Sequence, residues 1–207
     1  MNNSEVSLMT ARHSGNREHG FSMIELMIAA TIILIVSVIA VTSLRPNLQQ
    51  ARVDAAMRQV IDTFRQAREF SIANRRYVQI SFPANNQIQA TQMNTLTPGA
   101  GPVNTVLTTV TLAGPLVFNL DGMPDTPDGY GNGGPIVFEG ILNGPVGGML
   151  FQSDGELLDG QTLLPINGSV FMGMPGQQST ARAVTVLGTT GRVRGWKSNG
   201  ATVWYQF

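Results

Sequence analysis

Residues 20–44 read GFSMIELMIAATIILIVSVIAVTSL, and this stretch decides the architecture of the chain. Within it, residues 26–44 form a run of nineteen residues without a charged side chain. At about 1.5 Å of rise per residue, such a run makes roughly 28 Å of helix, which is close to the hydrocarbon thickness of a bilayer. The sequence therefore predicts an N-terminal helix that can span a membrane.

A single carboxylate, Glu25, stands directly before this apolar run. A charge at the end of a membrane-length helix costs about 2.5 to 3.5 kcal/mol on insertion scales, so a functional role is its default interpretation. We expect its partner to be a cation on another subunit. The alternative is an ordinary signal anchor in which the glutamate has no role.

The residues before the apolar run, 1–20, are polar and include four charged side chains and both histidines of the chain. They contain no apolar stretch of their own, which predicts a leader that remains in the cytoplasm. A secretory signal has its small-residue cleavage site after the apolar segment, whereas Gly20 precedes it here. Cleavage at Gly20 would therefore leave the apolar helix attached to the mature chain.

Composition indicates one soluble domain behind the anchor. The chain has 207 residues, thirteen basic and thirteen acidic, and no cysteine. The portion of the chain beyond the helix is near the usual size for one core. Because cysteine is absent, disulfides do not stabilise the fold, and composition gives no redox indication of the compartment.

Residue types exclude most catalytic classes. From residue 21 onward the sequence has no histidine, no cysteine and a single lysine, Lys197. This excludes a Ser-His-Asp arrangement, a cysteine nucleophile, an imidazole metal site and a phosphate-binding loop with its lysine. The carboxylates Asp154, Glu156 and Asp159 remain, but they lie among turn residues, where solvated acids are the expected interpretation. We therefore predict a protein that is not an enzyme and has no cofactor.

Beyond Pro46 a helical pattern resumes with apolar positions three and four residues apart. These positions are Val53, Met57, Val60, Phe64, Ala67 and Ser71. The opposite side carries charges whose pairs add about 0.2 to 0.5 kcal/mol each to an exposed helix. These charges are Asp54, Arg58, Asp62, Arg65 and Glu69. The pattern predicts one long helix over residues 21–74, broken or kinked near Pro46, whose second half packs against a domain.

From Tyr77 the apolar period changes to two, which is typical of a half-buried strand over residues 77–83. Turn residues separate further candidate strands at 87–93, 106–112, 116–120, 136–138, 149–152, 169–172, 181–187, 192–197 and 202–207. We expect a hairpin turn at 188–191 and a surface loop at 121–134. The fold class is α+β, a long N-terminal helix packed on an antiparallel sheet or small sandwich. The expected divisions are a leader (1–20), a transmembrane or filament-core half-helix (21–45), an amphipathic half-helix (46–76) and a β-rich domain (77–207).

Three acidic residues of the predicted surface loop, Asp121, Asp125 and Asp128, offer oxygen ligands for calcium. Their spacing does not match the EF-hand loop. Calcium binding is therefore left open, and no metal site is predicted.

Charge is unevenly distributed despite a formal net charge of zero. Residues 77–181 contain seven acids and no lysine or arginine, whereas residues 182–207 contain four bases and no acid. In a strand, Arg192 and Arg194 share a face with Trp196, while Lys197 points the other way. Such a group can bind phosphates and stack a base. Arginines on edge strands also serve solubility or protein contacts, so both interpretations remain.

The segment Gly20-Phe21-Ser22-Met23-Ile24-Glu25-Leu26 resembles the prepilin cleavage and methylation motif of type IV pilins and type II secretion pseudopilins. The resemblance implies that a prepilin peptidase cleaves after Gly20 and methylates the new terminus at Phe21. It also implies that Glu25 engages the terminal amine of a neighbouring subunit during assembly.

A pilin-type helix followed by a β domain that ends in Gly191-Arg192-Val193-Arg194 is similar to the GspH/FimT family of minor pseudopilins and minor pilins. The strand and turn at residues 151–155 also suit this family. The resemblance implies a single-pass protein of the bacterial inner membrane, with its C-terminal domain in the periplasm, assembled into a pseudopilus or a pilus. The implied partners are the prepilin peptidase, other pilins or pseudopilins, inner-membrane lipid and the assembly platform.

Two further functions stay open beside a secretion pseudopilin. In the transformation-associated branch of the GspH/FimT family, the C-terminal motif is linked to DNA binding, which would fall on Arg192 and Arg194, with Trp196 and Lys197 beside them. The other alternative is a sensory or enzymatic ectodomain that merely uses the anchor. No constellation of residues supports that last alternative.

Overall fold

The structure of the protein is a computed structural model that describes residues 22–94, 104–139, 141–142, 148–200 and 203–207, with 41–46 and 141–142 described by backbone only. The chain divides into two units between Leu44 and Arg45. Helix α1, Met23–Asn74, continues through Pro46, so the expected break is wrong, whereas a kink near Pro46 stays a prediction.

The described part of the N-terminal unit is the first portion of α1. Its residues Met23–Ala40 have a mean hydropathy of 2.6 and are exposed in the isolated chain, and the helix is long and apolar enough to cross a membrane. A signal sequence near an N-terminus has the same length and composition. The hydroxyls of Thr31 and Ser37 donate to the carbonyls of Met27 and Ile33 at 2.8 and 2.7 Å. Both polar side chains are thereby satisfied within the helix.

The second portion of α1 packs on the β domain with the predicted stripe. All six stripe residues are at most 1% exposed, which confirms the amphipathic pattern. On the other side, Arg58, Asp62, Arg65 and Glu69 are exposed as expected. Asp54 differs because it is half-buried and pairs with Arg182 of the β domain. The expected ion pairs along the helix are not formed among the residues that the structure describes.

The β domain consists of two antiparallel sheets. The five-stranded sheet has the order β3-β2-β1-β6-β7 and the six-stranded sheet the order β11-β10-β9-β8-β4-β5. The strands are β1 Val78–Ala84, β2 Gln87–Gln92, β3 Thr105–Thr111, β4 Ile136–Phe138, β5 Ile141–Leu142, β6 Met149–Phe151, β7 Leu157–Asp159, β8 Gly168–Met172, β9 Arg182–Leu187, β10 Arg192–Ser198 and β11 Trp204–Gln206. The α+β fold class is therefore confirmed.

The strand predicted at 116–120 is wrong. Leu116 and Phe118 are buried on either side of the half-buried Val117, but the segment pairs only through an isolated bridge between Val117 and Gly173. The apolar run there reflects burial of side chains and not ladder pairing. The short strands β5 and β7 and a 3₁₀ turn at Gln178–Thr180 were not predicted. Residue 202, where the last strand was expected to begin, lies outside the described residues.

Two apolar clusters cover the two faces of the six-stranded sheet. The larger cluster joins the stripe of α1 with inward side chains of both sheets, among them Val193 of β10. The smaller cluster, on the other face, contains Met123, Phe171, Ala181, Ala183, Trp196 and Trp204. The Trp204 indole donates to the Pro124 carbonyl at 3.0 Å. The loop over residues 121–134 therefore covers the face of the sheet that α1 does not.

Candidate functional site

Glu25 lies in the first turn of α1, with its side chain exposed. The N–H groups of Glu25 and Leu26 donate to the Ser22 carbonyl at 3.0 and 3.1 Å. The partial positive charge of a helix N-terminus favours a carboxylate at this position. Ser22 and Glu25 also have the spacing of a capping box, a local signal that sequence reasoning missed. Gly20 and Phe21, the predicted cleavage and methylation residues, lie outside the described residues.

Strand β10 places the predicted C-terminal residues on two faces. Arg192 is exposed, and Arg194 pairs with Asp128 at 2.7 Å. The other oxygen of Asp128 accepts the Thr185 hydroxyl at 2.5 Å. Lys197 projects to the opposite face, where its ammonium lies 3.5 Å from Asp54. Arg194 is therefore already neutralised by a carboxylate, whereas Arg192 has no ion-pair partner among the described side chains.

The phenol of Tyr130 lies in the same charged surroundings. Burial raises the pKa of Tyr130 above its ordinary value, and the nearby Asp128 carboxylate raises it further. Arg192 and Arg194 act in the opposite direction on this pKa. Tyr130 therefore stays protonated at neutral pH as a hydrogen-bonding group beside the two arginines.

Trp196 does not offer a surface for base stacking, which corrects the expectation drawn from its spacing. The side chain is buried in the smaller apolar cluster, and its indole N–H donates to the Thr185 hydroxyl at 3.0 Å. A large aromatic side chain gains more by packing on this face of the sheet than by standing in water. The proposed DNA-binding set therefore loses its aromatic member.

The loop aspartates are turned toward protein donors. Asp125 accepts the N–H groups of Thr126 and Gly131 at 2.8 and 2.9 Å, and Asp121 accepts the Gly176 N–H at 3.2 Å. Asp128 is occupied by Arg194. Among the residues that the structure describes, no group of three acidic, histidine or cysteine side chains is placed to hold a metal ion. The calcium interpretation of this loop therefore gains no support.

Two of the acids that were interpreted as turn residues and not as catalytic carboxylates have local structural roles. Asp154 accepts the Glu156 N–H at 3.0 Å, and Asp159 accepts the Gln161 N–H at 2.8 Å and the Thr162 hydroxyl at 3.0 Å. Aspartates that accept such hydrogen bonds stabilise turns. Both aspartates therefore act as turn residues.

Gly191, the first residue of the Gly-Arg-x-Arg stretch, is required by packing. Its φ of +62° is a left-handed conformation that favours glycine. A Cβ there would collide with the Gly155 carbonyl oxygen and with the Arg68 side chain. The glycine therefore allows the turn before β10 to lie against α1 and the neighbouring turn.

We expect Gly191→Ala to lower the free energy of unfolding by about 2–4 kcal/mol, since left-handed strain and overpacking add. The matched control is Gly114→Ala, because Gly114 has φ +67° but no atom within 4 Å of its would-be Cβ. The control should lose only about 1–2 kcal/mol. Urea unfolding of the full chain in detergent would measure both values, and equal losses would contradict the packing role.

Two clefts, of about 450 and 330 Å³, lie where α1 meets β10. Five arginines line them, three from the helix and two from the strand, and we call this surface the arginine groove. Its arginines are Arg58, Arg65, Arg68, Arg192 and Arg194. Sequence reasoning placed the helix arginines on a solvated face and did not connect them with β10. Only the packing of α1 on the sheet brings the two sets together.

The N-terminal part of the chain matches a known protein-family model. Residues 15–41 match the family model described as the prokaryotic N-terminal methylation motif. The match covers the predicted cleavage residues, Gly20 and Phe21, and the first part of α1. Among solved structures, the minor pseudopilin EpsH from the type 2 secretion system of Vibrio cholerae is similar, with 15% identity, a TM-score of 0.43 and coverage of 70% of this chain and 97% of that chain. No curated protein shows significant similarity to the chain.

Proposed function

We propose that the protein is a non-enzymatic minor pseudopilin or minor pilin. In this proposal a prepilin peptidase cleaves between Gly20 and Phe21, methylates Phe21, and leaves a subunit anchored once in the inner membrane with its β domain in the periplasm. The subunit then joins the pseudopilus of a type II secretion system or a type IV pilus. The observation that carries the proposal is the match of residues 15–41 to the methylation motif, which includes the exposed apolar helix segment Met23–Ala40.

The helix gives a physical reason for assembly. The apolar side chains of Met23–Ala40 are exposed in the isolated chain and need either lipid or other helices around them. Helices that leave a bilayer for a filament exchange lipid contacts for helix contacts, so their apolar surface need not meet water. Other pilins or pseudopilins, the surrounding lipid and an inner-membrane assembly platform are the partners of this proposal.

Glu25 supplies the register of the proposed filament. Its carboxylate would pair with the terminal amine of Phe21 on an adjacent subunit. Each of these charges is costly in apolar surroundings when alone, and pairing offsets part of the desolvation. Assembly would therefore favour the one axial offset between subunits that brings the two groups together.

Processing tests the proposal directly. Mass spectrometry of the protein from its native host should find a chain that begins at a methylated Phe21. Gly20→Ala should leave the uncleaved form, while Gly15→Ala, which changes another leader glycine, should be cleaved normally. A wild-type chain that keeps residues 1–20, or normal cleavage of Gly20→Ala, would overturn the proposal.

A further inference from the structure

We propose that the arginine groove binds an acidic, extended polypeptide segment of a protein partner. The groove belongs to the C-terminal unit, so this inference does not depend on cleavage or on filament assembly. From the sequence pattern alone, the charged residues of α1 that line the groove are expected only to face solvent. The proposal assigns them to a binding surface.

The groove holds an excess of uncompensated positive charge. Arg58, Arg65 and Arg192 are exposed and form no ion pair among the described residues. Asp62 and Glu69 also line the clefts but are not paired with them. Arginines clustered on one surface without carboxylate partners repel one another, and an anionic ligand relieves that repulsion. Charge complementarity therefore indicates a negatively charged occupant.

Two of the arginines are held in place. The Arg68 Nε–H donates to the Gly155 carbonyl at 3.2 Å, which fixes its side chain along the turn before β7. The guanidinium of Arg58 lies over the Phe207 ring, 5.0 Å from the ring centroid. Cation–π stacking of this kind orients the planar guanidinium. A ligand that binds these groups therefore loses less side-chain entropy than one that must order free arginines.

Spacing favours an extended segment. Arg58 and Arg65 are seven residues apart, which is about 10.5 Å along a helix. In a polyproline II segment, carboxylates three residues apart lie on the same face about 9 Å apart, so one such extended segment lying along α1 can reach both arginines. Val193 of β10 lines both clefts and forms their other wall.

The surface around the groove favours protein over nucleic acid. Ile61, Val193 and Phe207 make the first cleft partly apolar, and Tyr205 of β11 is exposed beside Phe207. Arginine combined with aromatic side chains is typical of protein interfaces. Asp62 and Glu69 can accept backbone N–H groups, which a peptide has and the phosphate backbone of a duplex lacks. Trp196, the candidate for base stacking, is buried.

Fluorescence anisotropy with the full chain in detergent micelles tests this assignment. The probes are a labelled Glu/Asp-rich peptide, a Gln-rich peptide of equal length and a duplex DNA with the same label. We expect the acidic peptide to bind in a salt-sensitive manner and more tightly than either other probe. The double substitution Arg58→Gln, Arg65→Gln should weaken that binding by about tenfold, as the loss of two exposed ion pairs implies.

The matched control is Arg75→Gln, Arg76→Gln, which removes the same charge from exposed arginines after the helix end. Binding by this control close to that of the wild type supports the groove as the site. An equal loss in both double variants would overturn the assignment, because it would show a non-specific charge effect. Tighter binding of the duplex than of the acidic peptide would also overturn it, in favour of a nucleic-acid surface.

Discussion

Asp54→Ala should lower the free energy of unfolding of the C-terminal unit by about 3–5 kcal/mol, because it leaves a buried guanidinium without its counter-ion. Arg182 is fully buried in strand β9, and its Nε–H donates to Asp54 at 2.6 Å. Its Nη2 donates to the Gln50 side chain at 2.6 Å, and its Nη1 to the Ala181 carbonyl at 2.9 Å. The neutral partners that remain cannot compensate a full charge away from water.

The two members of this ion pair should differ in their effect. Asp54 is only partly buried and keeps a second cation, Lys197, at 3.5 Å. Arg182→Met should therefore cost less than Asp54→Ala, because an apolar side chain of similar length fills the buried space and the carboxylate retains a partner. A double variant should lose less than the sum of the single losses, since the two groups form one network.

Tryptophan fluorescence makes the measurement specific to the β domain. The chain has two tryptophans, Trp196 and Trp204, and both are buried beneath the loop over residues 121–134. Urea titration of the full chain in detergent would then report the unfolding of this unit. The control is Asp62→Ala, an exposed acid of the same helix without an ion pair among the described residues, which should change stability by at most about 0.5 kcal/mol. Similar losses for Asp54→Ala and Asp62→Ala would contradict a stabilising role of the Asp54–Arg182 ion pair.

The ion pair and hydrogen bonds of Arg182 lie where the packed portion of α1 begins. Gln50 and Asp54 lie in the first turns of α1 that contact the β domain, and Val53 is the first fully buried residue of the stripe. A helix end that is held only by apolar packing can fray from its domain. The buried network therefore fixes the domain to the helix at the point where the packed portion begins.

Local periodicity was enough to predict the helix stripe and most strands. Val53, Phe64 and Ser71 follow a helical period because one face of α1 is buried, and this cause acts within a few residues. Strand β7 consists of Leu157, Leu158 and Asp159, which is too short for an alternation to be detected. The segment at 116–120 is an apolar run because two of its side chains are buried, although it does not join a ladder.

The candidate sites also fall into two groups, those formed by neighbouring residues in the sequence and those formed by distant residues. Glu25 and the predicted cleavage motif are contiguous in sequence, so they could be proposed without coordinates. The pairs Arg182 with Asp54 and Arg194 with Asp128 join distant parts of the chain, and their formation depends on how α1 and the loop pack on the sheet. Arg182 lies between Ala181 and Ala183 in a predicted strand, which hints at burial but does not identify the partner. The arginine groove was missed for the same reason.

Glu25→Ala should leave membrane insertion intact and reduce incorporation into filaments by about 100-fold or more. Removing one partner of a desolvated ion pair costs about 3–5 kcal/mol, and each 1.4 kcal/mol is a factor of ten in an equilibrium constant. The lost partner in this case would be the carboxylate that the terminal amine of an adjacent subunit meets. Membrane insertion depends on the apolar side chains of Met23–Ala40. The substitution changes none of these apolar side chains.

The measurement is the amount of the variant in sheared filaments relative to the membrane fraction, by quantitative immunoblot. Glu25→Gln should fail nearly as badly as Glu25→Ala, because the amide keeps the size of the side chain but not its charge. Glu156→Ala removes one carboxylate from a turn of the β domain and should assemble like the wild type. Wild-type amounts of Glu25→Ala in filaments would mean that the carboxylate acts only on its own helix, where it stabilises the first turn by about 0.3–1 kcal/mol. Such a result would separate the local role of Glu25, which a helix N-terminus alone explains, from the role between subunits.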